Sequence, residues 1–101
     1  MAIVAVSIAP LGQGPSVSRY VAAAEKVLET KPNIKRQIGP MFTTLEGDLD
    51  EIMAAIREMQ EAVFAAGAVR VSTVIKIDDR RDKAVTMEGK IKAVEEKLLQ
   101  G

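Results

Sequence analysis

The chain has 101 residues, 48% of them hydrophobic, with fourteen basic and fourteen acidic side chains and neither cysteine nor histidine. That length suits one domain, residues 1–101, with a single core layer. The missing residue types exclude disulfides, thiolate and imidazole metal sites, and Cys/His nucleophilic chemistry, while zero formal charge argues against a sequence-independent nucleic-acid binder.

Ala2 to Ala9 is a nearly continuous apolar run, too short for an ordinary helix, and reads as a buried strand. Val4, Val6 and Ile8 share one face; Ile3, Ala5, Ser7 and Ala9 share the other. Pro10–Pro15 is a Gly/Pro-punctuated loop, after which Ser16 or Ser18 is expected to cap a helix. Val17, Tyr20, Val21, Ala24, Val27 and Leu28 give that helix one apolar face, and Lys31-Pro32 ends it. Ile34 to Ile38 reads as a mixed-polarity edge strand, joined by a Gly39-Pro40 turn to a third strand running from Met41 to Gly47.

Asp48 and Glu51 form a capping-box pattern for a long helix with Leu49, Ile52, Met53, Ile56, Met59, Val63 and Phe64 as its stripe and Gly67 as its stop. Val69 to Ile77 alternates as a fourth strand. A charged connection, Asp78 to Lys83, leads to a last helix beginning near Thr86, with Met87, Ile91, Val94 and Leu98 on a narrow stripe.

The order strand, helix, strand, strand, helix, strand, plus one helix, is the α+β ferredoxin-like split βαβ sandwich (βαββαβ) with an extra C-terminal helix. Strands one and three should be central and both main helices should lie on one face. The other face then carries Ile3, Ala5, Ser7, Phe42, Thr44, Glu46, Arg70, Ser72, Val74 and Lys76. That face is too apolar to stay wet, so a second copy of the chain is expected to cover it.

Glu46 is the sharpest candidate. A carboxylate on a covered face needs a partner, either Arg70 or Lys76 in an ion pair, or a cationic or amino-bearing ligand. Thr43 and Thr44 offer hydroxyls, although Thr is also an ordinary strand residue. The Gly12–Ser18 loop enters a helix and has free amides, without the Gly-Lys-Ser/Thr of a Walker loop. No run is long enough to span a membrane, and Met1–Ala9 lacks the basic start of a signal peptide, so a cytoplasmic location is expected. Three further readings compete. One is a purely structural or regulatory homo-oligomer. Another is an acylphosphatase-like hydrolase using Arg19, which lacks a suitable Asn on the third strand. The last is an RNA-binding sheet, which would need more aromatics.

Ser16-Val17-Ser18, Tyr20-Val21-Ala22, Pro40-Met41 with Thr43, Glu46–Glu51, and Arg70-Val71 through Thr73 and Ile75–Lys83 resemble the small thiamine-binding protein family. The resemblance implies a ferredoxin-like fold, sheet-to-sheet dimers and often tetramers. It also implies non-catalytic binding of thiamine or its hydroxymethylpyrimidine moiety, with no cofactor. Ligand contacts are then expected from Glu46, Thr44, Thr43, Phe42, Ser7, Ser16, Ser18 and Tyr20. Ile3, Ala5, Arg70, Ser72, Val74 and Lys76 would lie between subunits. Two positions depart from the family pattern: Phe42 stands where Gly is usual, and Gln60 where His is frequent.

Overall fold

The computed structural model describes residues 1–101. The first strand, β1 (Ala2–Pro10), pairs antiparallel on both sides and so lies inside the sheet. One flank is β3 (Thr43–Gly47) and the other is β4 (Val71–Asp78); β2 (Lys35–Ile38) closes the far edge beside β3, giving the order β2-β3-β1-β4. The register sets Val4 opposite Leu45 and Ile77, and Ile3 opposite Glu46 and Asp78. Alternation therefore sends Val4, Val6 and Leu45 to one side, under α1 (Ser18–Leu28) and α2 (Leu49–Ala65).

Burial decides the helix phases. On α2 the inward stripe is Ile52, Ala55, Ile56, Met59 and Val63, whereas Met53 and Phe64, expected on it, lie on its exposed flanks. The Asp48 carboxylate accepts the Glu51 N–H at 3.1 Å, and Gly67, with φ 116°, ends the segment in the left-handed region that suits glycine. The opening of α1 differs from expectation. Its N-cap is Val17, with no side-chain cap: Ser18 is already helical and Ser16 lies outside. The Val17 carbonyl takes the N–H groups of Tyr20 and Val21, and the partly buried Val17 side chain packs on the core, so packing rather than a hydroxyl sets the start.

The hairpin also starts later than the sequence pattern implies. Gly39 N–H donates to the Phe42 carbonyl at 3.0 Å, so Pro40, Met41 and Phe42 belong to the turn and β3 begins at Thr43. A Cβ at Gly39 would stand 2.5 Å from that carbonyl oxygen, which ties the tight closure to glycine. Phe42 is thus lifted off the open sheet face. At the opposite edge β4 begins at Val71, and Arg70 precedes it, its carbonyl accepting the Leu11 N–H at 2.8 Å.

The last helix, α3 (Met87–Gln100), is capped by Thr86, whose hydroxyl accepts the Gly89 N–H at 2.9 Å. It lies on the side of the sheet opposite α1 and α2, because its first turn meets Glu46. Ile91, Val94 and Leu98 remain exposed beyond that turn.

Ile52 is fully buried at the centre of the helix–sheet contact. Ile52→Ala should lower unfolding stability by about 2–5 kcal/mol with secondary structure retained, measured by urea denaturation followed by circular dichroism.

Candidate functional site

Two places bring chemistry-bearing side chains together: the corner where α3 meets the sheet, and a cavity under the β2–β3 hairpin.

At the corner, Glu46 is only 7% exposed. Its Oε1 accepts the backbone N–H of Met87 at 2.7 Å. Met87 is the first residue of α3, so its amide is one of the groups that a helix leaves without an internal partner. The carboxylate therefore meets both a donor and the positive end of a helix dipole. Within the chain the expected ion pair with Arg70 or Lys76 does not form. Arg70 lies outside β4, and Lys76 is beside Ala5 in the register, while Glu46 is beside Ile3 and Lys35. Lys35 Nζ instead donates to Glu88 at 3.0 Å, and Lys90 bonds Asp78. Three contacts thus fasten the first turn of α3 to three strands. Ile3, expected between subunits, is already buried within the chain at this corner.

The pKa directions follow from these contacts. The hydrogen bond from Lys90, then its charge, holds the Asp78 carboxyl below the usual carboxylate range. The hydrogen bond to Glu88, then its charge, raises the Lys35 ammonium. Both pairs are exposed, so salt screens them.

The cavity has a volume of about 210 Å³ and lies between the β1 edge, α1 and the hairpin turn. It exists because the β1–β3 ladder stops at Val6 opposite Thr43, leaving Ser7 to Ala9 with no strand on that side, while the turn curls over the gap. Val17, Val21 and Met59 make its apolar walls, and Phe42 stands at the hairpin end. Glu25 of α1 is the single ionisable group in the lining. Its side chain is 12% exposed. The Thr43 hydroxyl donates to Oε1, and Arg36 Nη1 donates to Oε2 at 3.3 Å and to the Glu25 main-chain carbonyl at 2.8 Å. Arg36 supports Glu25 from outside the lining.

Among the residues expected to touch ligand, Ser7, Phe42 and Thr43 line this cavity. Glu46 and Thr44 do not, and Glu46 is already engaged by α3. Ser16 and Ser18 are exposed at the start of α1, outside the lining. Tyr20 is a core residue, 2% exposed. Its hydroxyl donates to Gln13 Oε1 at 2.9 Å, and the Arg19 guanidinium covers its ring at 4.1 Å, so the ring is spent on holding the glycine loop. Glu25 and Arg36 escaped the sequence reading, since an acid on an amphipathic helix and a base on an edge strand look like solvated charges. Gln60, where His is frequent in the resembling family, donates to Thr73 Oγ1 at 2.6 Å and joins α2 to β4.

A larger hollow of about 640 Å³ opens between the N-terminus, the start of α2 and the Asp79–Ala84 connection. Its two arginines are taken, Arg80 by Asp82 and Arg81 by Asp79, while Lys83, Asp48 and Asp50 stand in its rim without an ion-pair partner. The smaller hairpin cavity, with its partly buried charge and apolar walls, has the chemistry of a small-molecule site.

Comparison with known proteins agrees with this architecture. The sequence model of one family, described as Thiamine-binding protein, matches residues 4–95. Relatives include the UPF0045 protein YqgV of Bacillus subtilis, 48% identical over 97% of this chain and 98% of that protein. The crystal structure of the hypothetical protein MJ1052 of Methanocaldococcus jannaschii is 47% identical, covers 94% of this chain and 97% of its own, and superposes with a TM-score of 0.84. A Thermotoga maritima protein proposed to act in thiamine biosynthesis or salvage shares the fold with a TM-score of 0.76 at 22% identity, covering 92% of this chain and 97% of its own.

Glu46→Ala should leave the buried Met87 amide unmatched, at a cost of about 1–3 kcal/mol. The expected result is faster amide exchange at Met87 and Glu88 with core amides unchanged, whereas Glu46→Gln, which keeps an acceptor oxygen, should exchange more slowly than the alanine variant. The ionic contacts should show a pH window. Asp78 is lowered, so its contribution is complete above the unfolded carboxylate value and is lost as pH falls through the lower folded one. Lys35 is raised, so its contribution is complete below the unfolded lysine value and is lost as pH rises through the higher folded one. The Asp78 carboxyl-carbon NMR signal should stay constant above about pH 4 and move as pH falls below it, and the Lys35 Nζ signal should stay constant up to about pH 10 and move above it.

Proposed function

The chain belongs to the thiamine-binding protein family, and from that premise we propose that it is a non-catalytic binding protein for thiamine or its hydroxymethylpyrimidine moiety. The observation that carries this reading is the hairpin cavity, which is apolar-walled and contains one partly buried carboxylate fixed by two donors. No second ionisable side chain stands in the lining to work with Glu25 as an acid–base pair. Its volume of about 210 Å³ is below the roughly 300–1,000 Å³ of sites for drug-sized ligands, so one heterocycle enters and a second remains at the mouth. The pyrimidine end of thiamine satisfies that limit. Phe42 at the hairpin end offers an aromatic surface to a ring at the mouth, which gives a role to the residue that replaces the usual glycine.

The finer part of the proposal is the assembly. Val74 is 52% exposed on the open sheet face beside Ala5, Ser7 and Ser72, and Ile91, Val94 and Leu98 of α3 are exposed as well. A second copy pairing sheet to sheet, as a dimer or within a tetramer, would remove that sheet face from water. The hydrolase alternative loses its main residue, since Arg19 Nη1 donates to the Ala66 carbonyl at 3.2 Å and its guanidinium lies on Tyr20.

Isothermal calorimetry should detect binding of thiamine or hydroxymethylpyrimidine, with NMR shifts concentrated at Ser7, Phe42 and Thr43; no heat and no shifts at millimolar ligand would refute the proposal. Val74→Asp should reduce the mass seen by light scattering towards that of one chain while the fold persists. An unchanged assembly would show that the subunits meet elsewhere.

A further inference from the structure

We propose that Glu25 is the specificity-determining residue of the hairpin cavity, selecting an amino-bearing heterocycle over its oxo counterpart. This inference rests on the binding reading above and extends it to a residue and a hydrogen-bond pattern.

The argument starts from which protons are already committed. The Thr43 hydroxyl spends its one proton on Glu25 Oε1, so the threonine oxygen faces its surroundings as an acceptor. The ionised Glu25 carboxylate is acceptor-only, and each of its oxygens keeps capacity beyond the bond it already accepts. The Arg36 guanidinium bonds Glu25 from outside the lining and is not presented inside the cavity. The Glu25–Thr43 wall is therefore an acceptor surface set among apolar side chains such as Val21, Ala24 and Met59.

A ligand entering this space loses water from its polar edge. An amino group presents N–H donors to the waiting acceptors and recovers those hydrogen bonds. An oxo group at the same ring position presents lone pairs to the carboxylate, so the ligand oxygen gains no hydrogen bond there and is repelled. Sites that hydrogen-bond a buried group reject analogues lacking it far more strongly than apolar pockets reject a change of size. Hydrogen bonds to a charged group contribute ~1.5–3 kcal/mol, which corresponds to a preference of roughly 10- to 100-fold.

Because the Thr43 and Arg36 bonds restrain the carboxylate, its position is set before the ligand arrives. The partial burial of Glu25 strengthens the discrimination, since water competes less well there than at an open surface. The Ser7 hydroxyl, on the part of β1 beyond the end of the β3 ladder, can donate or accept and carries no such preference.

The test compares hydroxymethylpyrimidine with the analogue in which an oxo group replaces the amino group, by calorimetry on the full chain. The wild-type protein should bind the amino compound at least about 10-fold more tightly, and the Glu25 carboxyl carbon NMR signal should move on binding. Glu25→Gln, whose amide both donates and accepts, should erase or reverse that preference. Equal affinity of the wild-type protein for both compounds would overturn the role of Glu25 while leaving the binding function standing, as would an unchanged preference in the variant. Failure of both compounds to bind the wild-type protein would refute the binding reading and this inference together. The wild-type comparison and the carboxyl signal decide the matter even if Glu25→Gln does not fold.

Discussion

A carboxylate on a β-strand and the first amide of a helix organise the open side of this molecule. Glu46 occupies a position where strands disfavour an acid, and it sits nearly out of solvent. An unmatched charge there would be very costly, and an unmatched Met87 amide would be costly too. Each satisfies the other, so the position of α3 follows from mutual need rather than from a broad apolar contact. Beyond its first turn, the helix carries exposed Ile91, Val94 and Leu98, so this polar contact is a principal tie between α3 and the sheet.

The arrangement divides the roles of two acids. Glu46 gives its Oε1 to the backbone of α3 and so fixes that helix on the sheet. Glu25 is held in place by Thr43 and Arg36 and borders the hairpin cavity. The difference comes from what stands opposite each one. Glu46 meets a helix terminus, and Glu25 meets the gap left where β3 turns away from β1. The early end of the ladder at Thr43, imposed by the Gly39–Phe42 turn, therefore creates the space in which a small molecule can be recognised.

The family relation and the cavity bear on different questions. The match over residues 4–95 and the MJ1052 structure fix ancestry and fold. They do not identify which side chains face a ligand in this chain. The proposed ligand class rests on the local chemistry instead: an apolar cavity with an acceptor wall suits a neutral or cationic molecule carrying N–H donors. The larger hollow is bordered by exposed charges such as Arg80, Arg81 and Lys83, which water solvates, whereas the hairpin cavity sets one largely covered acid among apolar side chains.

The order of elements, the central places of β1 and β3, the Asp48 and Thr86 caps and the α2 stop at Gly67 were legible in the sequence, because each depends on local conformation or on side-chain period. Resemblance to the family was equally legible in the Pro40–Glu51 and Arg70–Lys83 segments. The partner of Glu46, the exposure of Met53 and Phe64, the diversion of Phe42 into the turn and the pairing of Glu25 with Arg36 were decided by tertiary structure. Each depends on which surface a later element comes to cover, and Glu46 meets an amide 41 residues further along the chain. A sequence pattern shows which face of a strand or helix a residue occupies; only the packed chain determines what lies against that face.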